Sequence, residues 1–164
     1  MSEVYDIYFN ENKEAFAYEI ENPICVITSD IWEQYAGTDT WDIADGEFVD
    51  ITDTPEYQEE KAAEREEDFK SKFFEVQGYG WYRKQPKGYQ SAVESMNVLF
   101  NIANVTDGIQ AGLIIFYQQP DFTKPEECTE EWLVAHQIVQ PAMTKVDFMN
   151  LYVAFMTAWN EMEH

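Results

Sequence analysis

The chain has 164 residues, of which 45% are apolar and 16% aromatic, and it carries 32 acidic against 10 basic side chains for a net charge of −22. That apolar fraction excludes disorder as the state of the whole chain. The charge balance excludes direct binding to nucleic acid phosphates, which rests on cationic neutralisation.

Met1–Asp6 carries acids where a secretory leader needs positive charge, and no small-residue cleavage site follows an apolar stretch. The longest apolar run, Ala111–Tyr117, falls far short of the ~20 residues that span a bilayer. Cys25 and Cys128 give no disulfide framework. The expectation is a soluble protein of a reducing compartment, without a leader and without membrane contact.

Charge is spread unevenly: residues 1–60 hold 17 acids and the single base Lys13, residues 61–100 hold 6 acids and 7 bases, and residues 101–164 hold 9 acids and 2 bases. In the first segment Tyr5, Ile7 and Phe9 alternate with Asp6 and Tyr8, and Phe16, Tyr18 and Ile20 alternate with Ala17 and Glu19. This pattern predicts a hairpin with one apolar face and a turn over Asn10–Glu14. Ile24–Thr28 reads as a further strand, followed by a short helix that Ser29 caps and Gly37 ends. Asp45-Gly46 between Trp41–Ala44 and Glu47–Ile51 predicts a second hairpin with a type I′ turn.

Thr54-Pro55 opens a helix, with Glu56, Glu59 and Glu60 in the turns where its dipole favours anions. Its first half is polar, while Ala62, Phe69, Phe73 and Val76 give the second half a face to bury, so it is expected to dock only at its end. Ala92, Met96, Leu99 and Ala103 trace a helical stripe up to Asp107-Gly108, and Leu113–Tyr117 reads as a buried strand. Thr129 is expected to cap a helix through Trp132, Leu133, His136 and Val139, broken by Pro141. Thr144 caps the last helix, whose Phe148, Leu151, Tyr152, Phe155, Met156 and Trp159 form a core face. The chain therefore reads as α+β: an N-terminal antiparallel β-hairpin lobe (1–54), a linking charged helix (55–77) and a mainly helical C-terminal lobe with a short apolar strand (78–164).

Chemistry-bearing residues are few. Cys128 precedes a helix start, a place that activates thiols, but His136 lies eight residues further along, ~12 Å of helix rise, out of reach for a nucleophile–base pair. His136 reads as a packing histidine, and His164 is terminal. The acids Asp39, Asp42, Asp45, Glu47, Asp50 and Asp53 fail a calcium-loop alignment, because Trp41 and Ile43 fall where carboxylates are needed. Neither a metal nor another cofactor is expected, and no catalytic motif is present.

Tyr79, Trp81, Tyr82 and Tyr89 interleave with Arg83, Lys84 and Lys87 in the locally basic stretch of an acidic chain. Such a cluster suits a sugar, an anionic ligand or a partner's acidic patch, and Gln90, Glu94, Asn97 and Asn101 continue a polar helix face beside it. The competing reading is that the rings pack between lobes while the bases snorkel and offset neighbouring acids.

The layout Tyr5-Asp6-Ile7-Tyr8-Phe9, Phe16-Ala17-Tyr18, Thr28-Ser29-Asp30-Ile31-Trp32 and Asp45–Asp50 running into Thr54-Pro55-Glu56-Tyr57 resembles small phage and prophage tail-region proteins of the tail fibre assembly or accessory type. The resemblance covers about residues 1–70. Trp81-Tyr82-Arg83 and Glu131-Trp132-Leu133 resemble a prophage domain of unknown function. The resemblance implies a non-enzymatic structural or chaperone-like role, with tail proteins or a second copy of the chain as partner, in the bacterial cytoplasm during assembly or in the virion tail. Two other classes stay open: an acidic DNA mimic that occupies a host DNA-binding protein, and a carbohydrate-binding module or enzyme using the Tyr79–Tyr89 cluster.

Overall fold

A computed structural model describes residues 3–162 of the chain. Met1, Ser2 and His164, which enter the readings above, lie outside the described residues. The fold is α+β, and it divides into two compact units, Met1–Glu60 and Lys61–His164. The division falls inside the helix α2 (Pro55–Lys72) and not at a linker.

In the first unit β1 (Asp6–Phe9) is the middle strand of an antiparallel sheet of order β2-β1-β3, with β2 at Ala15–Phe16 and β3 at Cys25–Thr28. The turn before β2 closes because the Asn10 side chain accepts from the backbone N–H of Asn12 and Glu14. The expected second strand over Phe16–Ile20 is cut to two residues, and β3 takes the longer ladder, Asp6↔Thr28 to Phe9↔Cys25. Cys25-Val26-Ile27-Thr28 carries β-branched residues, which fit a pleated surface, whereas Ala17 and Glu19 do not.

Thr28, not Ser29, stands at the cap position of α1 (Ser29–Tyr35). The buried Ser29 hydroxyl instead accepts from the Tyr5 N–H at 3.0 Å, tying the strand entrance to the helix start. β4 (Trp41–Ala44) and β5 (Glu47–Asp50) form the predicted hairpin, and positive φ at both Asp45 (53°) and Gly46 (80°) makes its turn type I′. Ile7, Phe9, Cys25 and Ile43 are the core, wrapped by Trp32, Trp41 and Phe48.

In the second unit α2 ends at Lys72, and Phe73–Val76, expected as helix, is strand β6 paired with β7 (Gly80–Arg83). Burial explains the difference. Phe73 enters a cluster with Phe69, Tyr117 and Leu133, while Phe74 and Val76 enter the main core, and strand alternation sends these neighbours to opposite sides as a helix would not. α3 (Ala92–Thr106) is capped by the Ser91 side chain and buries the predicted stripe Ala92, Met96, Leu99 and Ala103. Then follow β8 (Gly108–Ile109), β9 (Ile115–Phe116), a 3₁₀ turn (Pro125–Cys128) and α4 (Glu130–Ala135).

Thr129 caps α4 as expected, but the helix stops at Ala135, and the residues expected to prolong it form β10 (Ile138–Val139) against β9. His136 is exposed and stacks on Trp132, so it is not the packed histidine of the sequence reading. β11 (Met143–Thr144) pairs with β8 and leads into α5 (Lys145–Glu161), capped by Thr144. Thus, among the described residues, the second unit holds six short strands beside its helices, where the sequence predicted one apolar strand and a short extended piece between Gly78 and Gly88. Its core centres on Met96, Phe116, Phe148, Leu151 and Phe155, all at most 0% exposed. No helix among the described residues is long and apolar enough to cross a membrane.

Candidate functional site

The basic aromatic stretch does not form one surface. Trp81 packs at 5.0 Å from Phe69, whereas Tyr82 points to the other side of β7, is 6% exposed and exchanges a 2.8 Å hydrogen bond with the Ser95 hydroxyl. Alternation along a strand forbids the joint contact surface that adjacent Trp81 and Tyr82 would otherwise suggest. Tyr79 stacks on Phe116 at 5.7 Å. These three rings therefore meet different neighbours and do not share one face.

Arg83 is also committed inward. Its Nε donates to the Tyr117 hydroxyl at 3.2 Å, its other end pairs with Glu130, and the guanidinium lies 4.9 Å over Phe73. Lys84 and Lys87 differ: among the described residues neither has a carboxylate or hydrogen-bond partner for its ammonium. Each borders a different cavity. Lys84 and Trp81 line one of about 480 Å³ together with Lys70, Glu75 and Glu161. Lys87 lines another of about 330 Å³ with Tyr82, Arg83 and Tyr89.

The second cavity joins the basic stretch to an apolar wall. Its floor and walls include Val98, Leu99, Ile102, Leu113 and Ile115 from α3 and the segment around β9. Val98 (39%), Ile102 (37%) and Leu113 (48%) stay exposed there. Lys87 and Tyr89 line it too, so an apolar groove meets a cation that has no partner among the described residues. A volume of this size and an apolar lining with a few convergent polar groups are what binding sites share, at ~300–1,000 Å³.

Asn97 and Asn101 do not line this groove. Asn97 accepts from the Tyr152 hydroxyl at 3.1 Å and is turned toward α5, and Asn101, one turn on, shares that side of α3. The groove wall is the neighbouring face, Ser95, Val98 and Ile102, which the sequence reading missed. Its signal was present: Val98 and Ile102 are apolar at i and i+4 beside a core stripe that was already complete.

Burial pushes the Cys128 thiol up from its ordinary range, the reverse of activation, and its sulfur lies 3.6 Å from the Lys124 carbonyl oxygen. Among the described residues no three of His, Cys, Asp and Glu are placed to hold a metal ion. Asp50 binds the Thr52 hydroxyl and backbone N–H, which lowers its carboxyl, and receives the Tyr35 hydroxyl at 3.0 Å. No family model matches the chain, and neither a curated protein nor a solved structure matches it.

Proposed function

We infer that this chain is a non-enzymatic binding protein whose groove beside Lys87 takes an acidic, apolar-anchored segment of another protein. The supporting observation is the meeting of exposed Val98, Ile102 and Leu113 with an unpaired lysine in a chain of net −22. Apolar contact supplies affinity, and a local positive potential amid repulsive acids orients an acidic partner. Tail-region proteins of a phage or prophage are the proposed partners, in an assembly or accessory role, on the strength of the N-terminal layout from Tyr5 to Tyr57.

Co-expression with the tail proteins encoded in the same genome, followed by size-exclusion chromatography, tests this reading. A complex that Lys87→Glu with Ile102→Glu abolishes, while the thermal melt stays in place, supports it. A complex retained by the double variant overturns the groove, and the absence of any complex overturns the tail assignment.

A further inference from the structure

The sheet β2-β1-β3 has two faces of different fate. Ile7, Phe9 and Cys25 turn inward to the first unit's core. On the outward face the register sets Phe16 beside Tyr8 and Tyr8 beside Val26, one apolar row across three strands. Tyr18 lengthens the row by packing on Phe16 at 5.5 Å, and it is 65% exposed, with Val26 at 46%. Val4, two residues before β1, is 62% exposed. Single exposed apolar residues are ordinary, but a row of cross-strand neighbours is a surface.

What surrounds the row defines its occupant. Residues 1–60 hold 17 acids and one base, and that base, Lys13, is paired with Asp42. Glu19 and Glu21 follow Tyr18 along the chain, and Asp6 lies on the same face of β1 as Tyr8. Lys13 is exposed but already paired, so the field over residues 1–60 keeps its negative sign and repels an acidic partner, a nucleic acid or an anionic lipid surface. A second copy of the chain brings the same net −22 and meets the same repulsion.

We propose that the outward face of the β2-β1-β3 sheet, the row Phe16–Tyr8–Val26 with Tyr18, is a docking surface for a basic amphipathic segment of another protein. The segment's apolar side chains lie on the row while its Lys and Arg side chains reach the surrounding carboxylates. This surface lies in the first unit and is independent of the groove beside Lys87.

The probe is a fluorescent peptide of alternating Lys and Leu, read by anisotropy on the full chain, with a Glu–Leu and a Lys–Ser peptide as counterparts. The Lys–Leu peptide is expected to bind in a salt-sensitive way and more tightly than both counterparts. Tyr18→Ser with Val26→Thr, which changes no charge, should weaken it by about tenfold with an unchanged melt. Tyr18→Ser alone, at the more exposed position, should weaken it in part and serves if the double variant fails to fold. Equal binding of Lys–Ser and Lys–Leu, or an affinity that the substitutions leave alone, reduces the effect to bulk charge and overturns the proposal. Tight binding of the Glu–Leu peptide also overturns it. So does sedimentation showing that the native chain self-associates through this row, since the occupant is then a second copy.

Discussion

Arg83 donates from Nε to the Tyr117 hydroxyl at 3.2 Å and holds its guanidinium carbon 4.8 Å from the centre of the same ring. With Glu130 on its far side, it straps β7 to the segment after β9 and to the start of α4. A side chain held by a ring, a hydroxyl and a carboxylate is a structural part, whatever the charge pattern of its neighbours suggests.

Arg83→Glu should therefore lower the stability of the second unit by about 2 kcal/mol, the scale of a lost charged hydrogen bond with a cation–π contact. Lys84→Glu, which removes no partner, should stay within about 0.5 kcal/mol. Chemical denaturation of the two variants checks this. Equal effects would mean that the strap contributes nothing beyond its charge.

Phe155 is fully buried, 5.3 Å from Phe74 and 5.5 Å from Tyr82, so it joins α5 to the β6–β7 hairpin. Phe155→Ala should lower stability by about 3 to 5 kcal/mol, since the surrounding rings only partly collapse into the space. Val153, on the opposite side of the same helix and 61% exposed, gives the contrast: Val153→Ala should lie within about 0.5 kcal/mol. A denaturant midpoint for Phe155→Ala close to that of the native chain would show that this residue is outside the packed core.

Why α5 was legible in the sequence and β6 was not follows from how each buries its residues. α5 has one apolar stripe at helical spacing and a Thr cap, and local sequence specifies both. Phe73, Phe74 and Val76 fit a helix stripe and a two-sided strand equally well in pattern. The choice is made by Tyr82, the hairpin partner of Phe74, and by Phe116 and Tyr117, which approach from a distant part of the chain. The same holds for β10, whose partner β9 lies some twenty residues earlier and which therefore reads locally as the end of α4. The candidate site was half legible. The excess of cations over residues 61–100 is visible in sequence, but which of them are already paired is a property of the fold, and only Lys84 and Lys87 of the stretch remain unpaired among the described residues.

Asp42 holds its carboxyl below the ordinary value of 3.8, first through the hydrogen bond from the Lys13 ammonium and then through the Ile43 N–H. A carboxyl whose folded pKa is depressed adds stability that is present above its unfolded pKa and is lost as pH falls through the folded one. The contribution should be full at neutral pH and vanish on acidification below 3.8. Thermal melts of the native chain and of Asp42→Asn should therefore differ at pH 7 and converge in strong acid. A difference that stays constant with pH would assign the effect to the Asn side chain and not to the ion pair.

Gly108 tests a constraint of space and not of backbone angle. It does not lie at positive φ, yet a Cβ added to it would stand 2.6 Å from the carbonyl oxygen of Met143, the residue before its cross-strand partner Thr144. Real carbon atoms do not approach a backbone oxygen so closely, so Gly108→Ala must push the two strands apart. The expected loss is about 1 to 3 kcal/mol, the range for overpacking a filled site. Gly112 poses the opposite problem: its φ is +86°, but nothing lies within 4 Å of the added atom. Asn tolerates the left-handed region better than other side chains, so Gly112→Asn should cost little while Gly108→Asn should be at least as harmful as Gly108→Ala. Chemical denaturation of the three variants separates the two causes, and a Gly108→Ala variant as stable as the native chain would mean that β8 and β11 do not approach as closely as this pairing requires.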